Sequence, residues 1–207
     1  MSFNKNEIII VDDHLIFCES LKLIIETGLK YKVIGIFQNG IELLKFLEHT
    51  KCDFILMDIE MKEMGGVEAT KKISKKYPEI NIIAISLHDD NYSMIEMLQA
   101  GAKGYLKKSV SIKLLFEAIS VILNGQLYFP KEVLDRRNEN LNLSGEEIKI
   151  LNLTSNGLTN DEISKELSRG KRTIEREKSE MIRRFGVRNI TNLLKIVIKK
   201  KWIKNSN

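Results

Sequence analysis

Only two cysteines, Cys18 and Cys52, occur in the 207-residue chain, and neither has the spacing of a metal ligand pair. They are expected to be reduced structural thiols, which excludes a disulfide framework and a cysteine zinc site. Long apolar runs are lacking too, since no stretch approaches the roughly 18 residues that cross a bilayer. The opening residues, Met-Ser-Phe-Asn-Lys-Asn-Glu, run straight into a strand-like segment without the zones of a signal peptide. No membrane partner is expected, and the expected compartment is the cytoplasm. Internal repeats and low-complexity tracts are also missing. With 43% hydrophobic and 29% charged residues, the composition is that of a globular chain and excludes extensive disorder.

Charge is present, but unevenly. The net charge is +5. Residues 1–130 carry 15 basic and 17 acidic side chains, a net of −2, whereas residues 131–207 carry 18 and 11, a net of +7. From Arg169 to Lys204 there are 13 basic and 3 acidic side chains, a net of +10. Such asymmetry between halves points to a polyanion as partner of the C-terminal part, against the duller reading of a solvated helical surface.

The two halves also differ in periodicity. Short apolar runs at Glu7–Val11, Val33–Phe37, Phe54–Met57, Ile80–Ile85 and Gly104–Leu106 lack alternation, as strands covered on both faces do. Between them lie the helical patterns His14–Glu26, Gly40–His49, Val67–Lys76, Asn91–Ala100 and Ile112–Leu123. Parallel strands need crossover connections, so this order predicts a doubly wound five-stranded α/β domain over 1–125. Residues Lys131–Asn142 are polar, and 126–142 is expected to be a linker. Over 143–207 the strand signal vanishes and four helices are expected: Gly145–Ser155, Asn160–Leu167, Lys171–Phe185 and Thr191–Lys200. Ser144 with Glu147 and Thr159 with Glu162 match capping boxes, and Gly157 and Gly186 stand where helices stop. The short gap around Gly170 suits a helix-turn-helix.

Ligands of an open parallel sheet bind beyond the carboxyl ends of its strands. Asp12 and Asp13 follow the first strand and Asp58 the third, so neighbouring strands would bring three carboxylates together. A hard divalent cation such as Mg²⁺ relieves their repulsion, and a carboxylate beside it can attack phosphorus. Ser86 ends the fourth strand and offers a hydroxyl. Lys107 and Lys108 end the fifth and offer positive charge. Taken singly, each residue has a plainer reading, Asp12 as a helix cap and Ser86 as a capping hydroxyl. Asp58 is harder to explain away, because an acid at the end of a buried apolar strand is costly without a partner.

Val11-Asp-Asp-His14, Ile55-Leu-Met-Asp-Ile-Glu-Met61, Ile83-Ala-Ile-Ser86 and Gly101-Ala-Lys-Gly-Tyr-Leu-Lys-Lys108, in this order and spacing, resemble the receiver domain of bacterial response regulators. The resemblance implies that Asp58 accepts a phosphoryl group from a sensor histidine kinase. It implies Mg²⁺ on Asp13 and Asp58, with Asp12 assisting and the Glu60 backbone carbonyl completing the protein ligands. Ser86 and Tyr105 would be the switch pair, and Lys108 rather than Lys107 the phosphate-contacting lysine. Departures from the family pattern are Lys62 and Ser109 where proline is frequent, while Glu60 and His88 occupy the variable positions that tune phosphoryl lifetime. An aspartyl phosphatase would share the carboxylates, with Glu60 as its general acid, but no substrate-capping insertion is present, so no enzyme is expected.

Leu143-Ser, Glu147, Leu151, Gly157-Leu-Thr-Asn160, Glu162-Ile163, Leu167, Arg172-Thr-Ile-Glu175 and Phe185-Gly-Val187 resemble the LuxR-type helix-turn-helix of NarL/FixJ-class regulators. Lys171–Phe185 would then be the recognition helix on double-stranded DNA. Lys171, Arg172, Thr173, Glu175 and Arg176 are expected at the groove, with Lys178, Arg183 and Arg188 near phosphates. The resemblance also implies a homodimer when phosphorylated or DNA-bound. Ile163, Leu167, Ile174, Met181 and Ile182 are expected core positions. The family usually has a serine near Gly170, an apolar residue near Arg169 and a histidine near Glu177, and the glutamate is expected either to weaken DNA affinity or to make the footprint unusual.

Overall fold

The computed structural model of the chain describes residues 7–28, 31–87, 90–139 and 141–203. Position 88, expected to tune phosphoryl lifetime, lies outside these residues, as do Asn140 of the expected linker and the last four residues. Two compact units result, one of Met1–Asp89 with Ser93–Arg137, the other of Asn138–Asn207 with Asp90–Tyr92.

In the first unit, five strands, β1 (Glu7–Val11), β2 (Lys32–Phe37), β3 (Phe54–Asp58), β4 (Asn81–Ser86) and β5 (Gly104–Lys107), form one sheet in the order β2-β1-β3-β4-β5. Every pairing is parallel. Helices α1 (Leu15–Gly28), α2 (Gly40–Phe46), α3 (Gly66–Lys76) and α4 (Asn91–Ala100) make the crossovers, and α5 (Ile112–Leu123) follows β5. The central strands are apolar on both faces because both faces are covered. Ile8, Ile10, Phe54, Leu56, Ile83 and Leu106 are buried on one side with Ile25, Leu115 and Ile119. Residues between them, such as Ile9, Ile55, Met57 and Ile82, are fully buried as well. Burying each such side chain contributes about 1.5–3 kcal/mol. This is the doubly wound α/β fold that the alternation of runs predicts.

The expected linker differs from its reading. Lys131–Asp135 form a short helix, α6, with Val133 fully buried. Before it, the Tyr128 amide donates to the Lys103 carbonyl at 2.8 Å, and the Tyr105 amide donates to the Tyr128 carbonyl at 3.0 Å. The backbone of Tyr128 thus satisfies the open edge of β5, and the first unit runs on to Arg137.

In the second unit the described elements are helical: α7 (Gly145–Ser155), α8 (Asn160–Glu166), α9 (Lys171–Phe185) and α10 (Ile190–Lys199). Two capping boxes start α7 and α8. The Ser144 amide donates to Glu147 at 2.8 Å and the Glu147 amide to the Ser144 hydroxyl at 3.2 Å. The Thr159–Glu162 pair repeats this at 2.7 and 3.3 Å. Such caps are worth about 1 kcal/mol each. Gly186 ends α9 in the left-handed region at φ 62°, where a Cβ would be penalised. Ile150, Leu151, Ile163, Ile174, Met181, Phe185, Leu193 and Val197 have no exposed surface and form the core. Leu167 and Ile182, expected there too, are only half-buried. Trp202 stands edge-on to Phe185, with ring centroids 6.1 Å apart.

Candidate functional site

The sheet order places β1 beside β3 and β3 beside β4, so the carboxyl ends of β1, β3, β4 and β5 open on one side. Asp12 leaves β1 as its amide donates to the Phe37 carbonyl at 2.9 Å. Asp58 is the last residue of β3, in register with Ile85 of β4. Both acids are buried, at 1% and 4% exposure. Gly66 lets the first turn of α3 pass close behind them, since a Cβ there would lie 2.0 Å from the Asp58 carbonyl oxygen.

Ligand atoms of Asp12, Asp13, His14 and Asp58 all lie within 4.8 Å of one another. Lys108, its side chain 8% exposed, reaches into this cluster from the end of β5. Its ammonium is 2.7 Å from Asp12 Oδ2 and 3.2 Å from Asp58 Oδ2. The first contact is an ion pair by distance and not an aligned hydrogen bond. Asp58 Oδ1 accepts from the Ile59 amide at 2.9 Å, and Asp12 Oδ1 accepts from the His14 amide at 3.0 Å. Asp12 therefore caps the following turn, the plainer reading of its role, and faces the cluster as well. The Lys108 backbone is tied to β4 through its amide, which donates to the Ser86 carbonyl at 2.8 Å. Ser86 is 1% exposed. Tyr105 is buried on β5 near Phe129, with ring centroids 6.5 Å apart.

Burial is the largest influence on Asp58, and the neighbouring Asp12 carboxylate adds to it. Together they push its carboxyl from an ordinary 3.8 up to about 6, against the opposing pull of Lys108. Burial alone would lower the Lys108 pKa, but Asp12 and Asp58 outweigh it and hold the ammonium above its usual range. A single cation thus serves two buried acids. Asp13 completes the set: its Oδ1 is buried without a hydrogen-bond partner, and the exposed His14 ring lies 3.0 Å away. Three carboxylates, two of them with a buried oxygen that accepts no hydrogen bond, make a hard oxygen donor set that fits Mg²⁺.

Glu60, two residues beyond Asp58, is exposed on the loop leading to α3. Three contributors to the site carried no readable signal in sequence. The Phe17 ring centroid lies 5.2 Å from the Lys108 ammonium, which supports its charge. Cys18 packs under the site with its thiol toward the Asp12 carbonyl at 3.5 Å, and burial pushes that thiol up to about 11. Gly66 was indistinguishable from a turn glycine.

The basic surface of the helical unit is sorted more sharply than its composition suggests. Arg172, Glu175, Arg176, Arg183 and Arg188 are exposed, and Thr173 is half-buried at the first turn of α9. Lys171, although exposed, is 2.7 Å from Asp161 of α8. Lys178 donates to the Asn160 side chain at 2.7 Å, and burial lowers its pKa. Arg176 is 3.8 Å from Glu180, a loose pair on the helix surface. Arg184 reaches Glu147 at 2.9 Å. Burial would raise the Glu147 carboxyl, but Arg184 and the Ser144 amide outweigh it and hold it below its usual range. The exposed face of α9 is therefore carried mainly by arginines.

No helix among the described residues is long and apolar enough to cross a membrane. Residues 8–120 match the response regulator receiver domain family, and residues 141–197 match the LuxR family of bacterial regulatory proteins. The chain is 32% identical to the transcriptional regulatory protein YdfI of Bacillus subtilis (strain 168), covering 94% of this chain and 96% of YdfI. It is 30% identical to the transcriptional regulatory protein DegU of Brevibacillus brevis, covering 97% and 96%. Among solved structures, a complex of two RcsB dimers bound to two parallel DNAs matches with TM-score 0.77 and 25% identity, covering 94% of this chain and 98% of RcsB. RcsB from Salmonella enterica serovar Typhimurium, bound to a promoter in the presence of phosphomimetic BeF3-, matches with TM-score 0.71 and 25% identity, covering 91% and 96%. A parallel α/β unit with a buried acidic cluster and a helix-turn-helix unit, matched over nearly the whole chain, make this a transcriptional response regulator of the NarL/LuxR family and not an enzyme.

Proposed function

We propose that Asp58 accepts a phosphoryl group from a sensor histidine kinase, and that this controls sequence-specific binding of the helical unit to double-stranded DNA. The observation that carries the reading is the placement of one buried ammonium, Lys108, between the buried carboxylates of Asp12 and Asp58. Acids at 1% and 4% exposure are costly to keep charged unless a cation or a reaction needs them there.

Asp12, Asp13 and Asp58, with the Glu60 backbone carbonyl, would hold Mg²⁺. When bound, it supplies positive charge that screens the carboxylates and the incoming phosphoryl oxygens. The residues of the chain do the rest. Asp58 Oδ1 is fixed by the Ile59 amide, which leaves Oδ2 to attack phosphorus. As the new P–O bond forms, the P–N bond to the kinase histidine breaks and the imidazole keeps the electron pair. Lys108, already 3.2 Å from Asp58 Oδ2, then meets a phosphoryl oxygen, and Ser86 offers its hydroxyl to another. Movement of Ser86 and Tyr105 carries the change to the surface near α4 and β5.

In the helical unit, Arg172, Thr173, Glu175 and Arg176 read base edges, while Arg183 and Arg188 meet phosphates. Lys171 and Lys178 lie on the same helix, beside their α8 partners. RcsB is described as dimers on DNA and with a phosphomimetic at a promoter, which supports a homodimer on DNA here. A kinase partner and a DNA target support the cytoplasm as the compartment. The proposed division into 1–125 and 143–207 around a connecting segment is supported by the family matches over 8–120 and 141–197.

The test is DNA affinity with and without a small-molecule phosphoryl donor and Mg²⁺, on genomic fragments selected by the protein itself. Tighter binding with the donor supports the proposal. Equal binding in both arms contradicts the control by phosphate and leaves a constitutive DNA binder.

A further inference from the structure

The strongest unassigned cluster lies in the turn of the helix-turn-helix. The guanidinium of Arg169, just before α9, is shared between two acids. It holds Glu177, two turns into α9, at 3.0 and 2.5 Å through two nitrogens, and Glu146 in the first turn of α7 at 3.0 Å. Glu177 is 18% exposed and Arg169 28%, whereas Glu146 is 73% exposed. The turn itself is fixed from behind: the Arg169 amide donates to the Ser164 carbonyl at 2.9 Å, and the Ser164 hydroxyl donates to the Arg169 carbonyl. Ser168 takes a positive φ of 51°, a cost for a non-glycine residue that the surroundings must offset. Gly170, the N-cap of α9, offers no capping side chain, so side-chain links must set how α9 leaves the turn.

We propose that Arg169 is a positioning residue for DNA binding: its fork closes on Glu177 and cancels that charge on the helix that meets phosphate. The expectation that Glu177 weakens affinity treats the glutamate alone. The structure pairs it with another departure from the family pattern, Arg169, eight residues away, and the two compensate. A planar, bidentate guanidinium suits this task, and an ammonium would not reproduce the fork. Removing one member of a mostly buried pair leaves an uncompensated charge and costs more than removing both. The inference rests on the reading of α9 as the recognition helix.

A double-mutant cycle on the full-length protein tests it, with DNA affinity measured at several salt concentrations and circular dichroism confirming the fold. Arg169→Ala is expected to weaken binding on the order of ten-fold, because a bare Glu177 carboxylate then faces the DNA backbone. Glu177→Ala is expected to change affinity less than about three-fold, since Arg169 keeps Glu146. The double variant is expected to bind like Glu177→Ala, better than Arg169→Ala, and the deficit of Arg169→Ala is expected to shrink as salt rises, a dependence that a purely structural role would not give. If Arg169→Ala is unfolded at the assay temperature, Arg169→Gln with Glu177→Gln supplies the same cycle. Additive losses, or an Arg169→Ala protein that binds like wild type, would overturn the proposal. The control is Arg172→Ala with Arg176→Ala. If that variant binds DNA normally, the recognition-helix reading itself is wrong; if it fails to bind while the cycle is additive, only the role of Arg169 is lost.

Discussion

The first unit gathers its charge inward, and the second spreads it outward. At the strand ends of the sheet, Asp12 and Asp58 are nearly inaccessible and share one buried lysine, so each charge has a definite partner. On α9, Arg172, Arg176 and Arg183 stand in solvent, and a surface charge interacts weakly with any single neighbour. The net +10 of residues 169–204 also overstates what DNA would meet. Arg169, Lys171 and Arg184 are 2.5–3.0 Å from acids of their own unit. Buried charge is therefore specified by a few residues and fails in an all-or-none way. Surface charge is collective and fails by degrees.

That contrast can be broken at its sharpest point by Lys108→Ala. It leaves Asp12 and Asp58 without their shared cation, and labelling of the protein by a small phosphoryl donor should slow on the order of 10²-fold. Labelling at the wild-type rate would show that the buried cation is dispensable. Next in size is Arg172→Ala with Arg176→Ala, expected to lose on the order of 10²-fold in affinity for the selected DNA, and less for unrelated DNA. A uniform loss on every sequence would move these arginines from base reading to phosphate contact.

A pH series sharpens the buried side of the comparison. The folded-state pKa of Asp58 lies above its ordinary value, at about 6 against 3.8, so the folded chain holds this proton more tightly than the unfolded chain. Its contribution to the stability of the metal-free protein is present near pH 4 and lost as pH rises through about 6. Mg²⁺ needs the carboxylate, so metal affinity should run the opposite way and fall below about pH 6. Calorimetric titration with Mg²⁺ at pH 5 and pH 7.5 measures this, and equal affinities would contradict it. The smallest effect is expected from Lys171→Ala. Its ammonium is held by Asp161 at 2.7 Å, and DNA affinity should change less than about three-fold. A ten-fold loss would mean that DNA draws the lysine away from Asp161.

Much of this architecture was legible in the residues because the relevant signals are local. Five apolar runs without alternation announce buried parallel strands, and acids directly after two of them announce where the chemistry sits. Both capping boxes and the Gly186 stop are read from four-residue windows. What escaped notice depends on distant partners. Tyr128 satisfies the edge of β5 through its backbone, which composition does not encode, so α6 and its buried Val133 were hidden in a polar stretch. Arg169 and Glu177 each looked like a lone departure from a family pattern, and only the turn between α8 and α9 brings them together. The need for glycine at position 66 exists only once α3 folds back over Asp58.

The most direct test of the central claim is the site of phosphoryl attachment. The protein is incubated with a small phosphoryl donor and Mg²⁺, the acyl phosphate is mapped, and the reaction is repeated on Asp58→Asn. The expected result is a Mg²⁺-dependent label on Asp58 that disappears in the folded variant. A label that persists in Asp58→Asn, or that maps to another residue, would contradict the account.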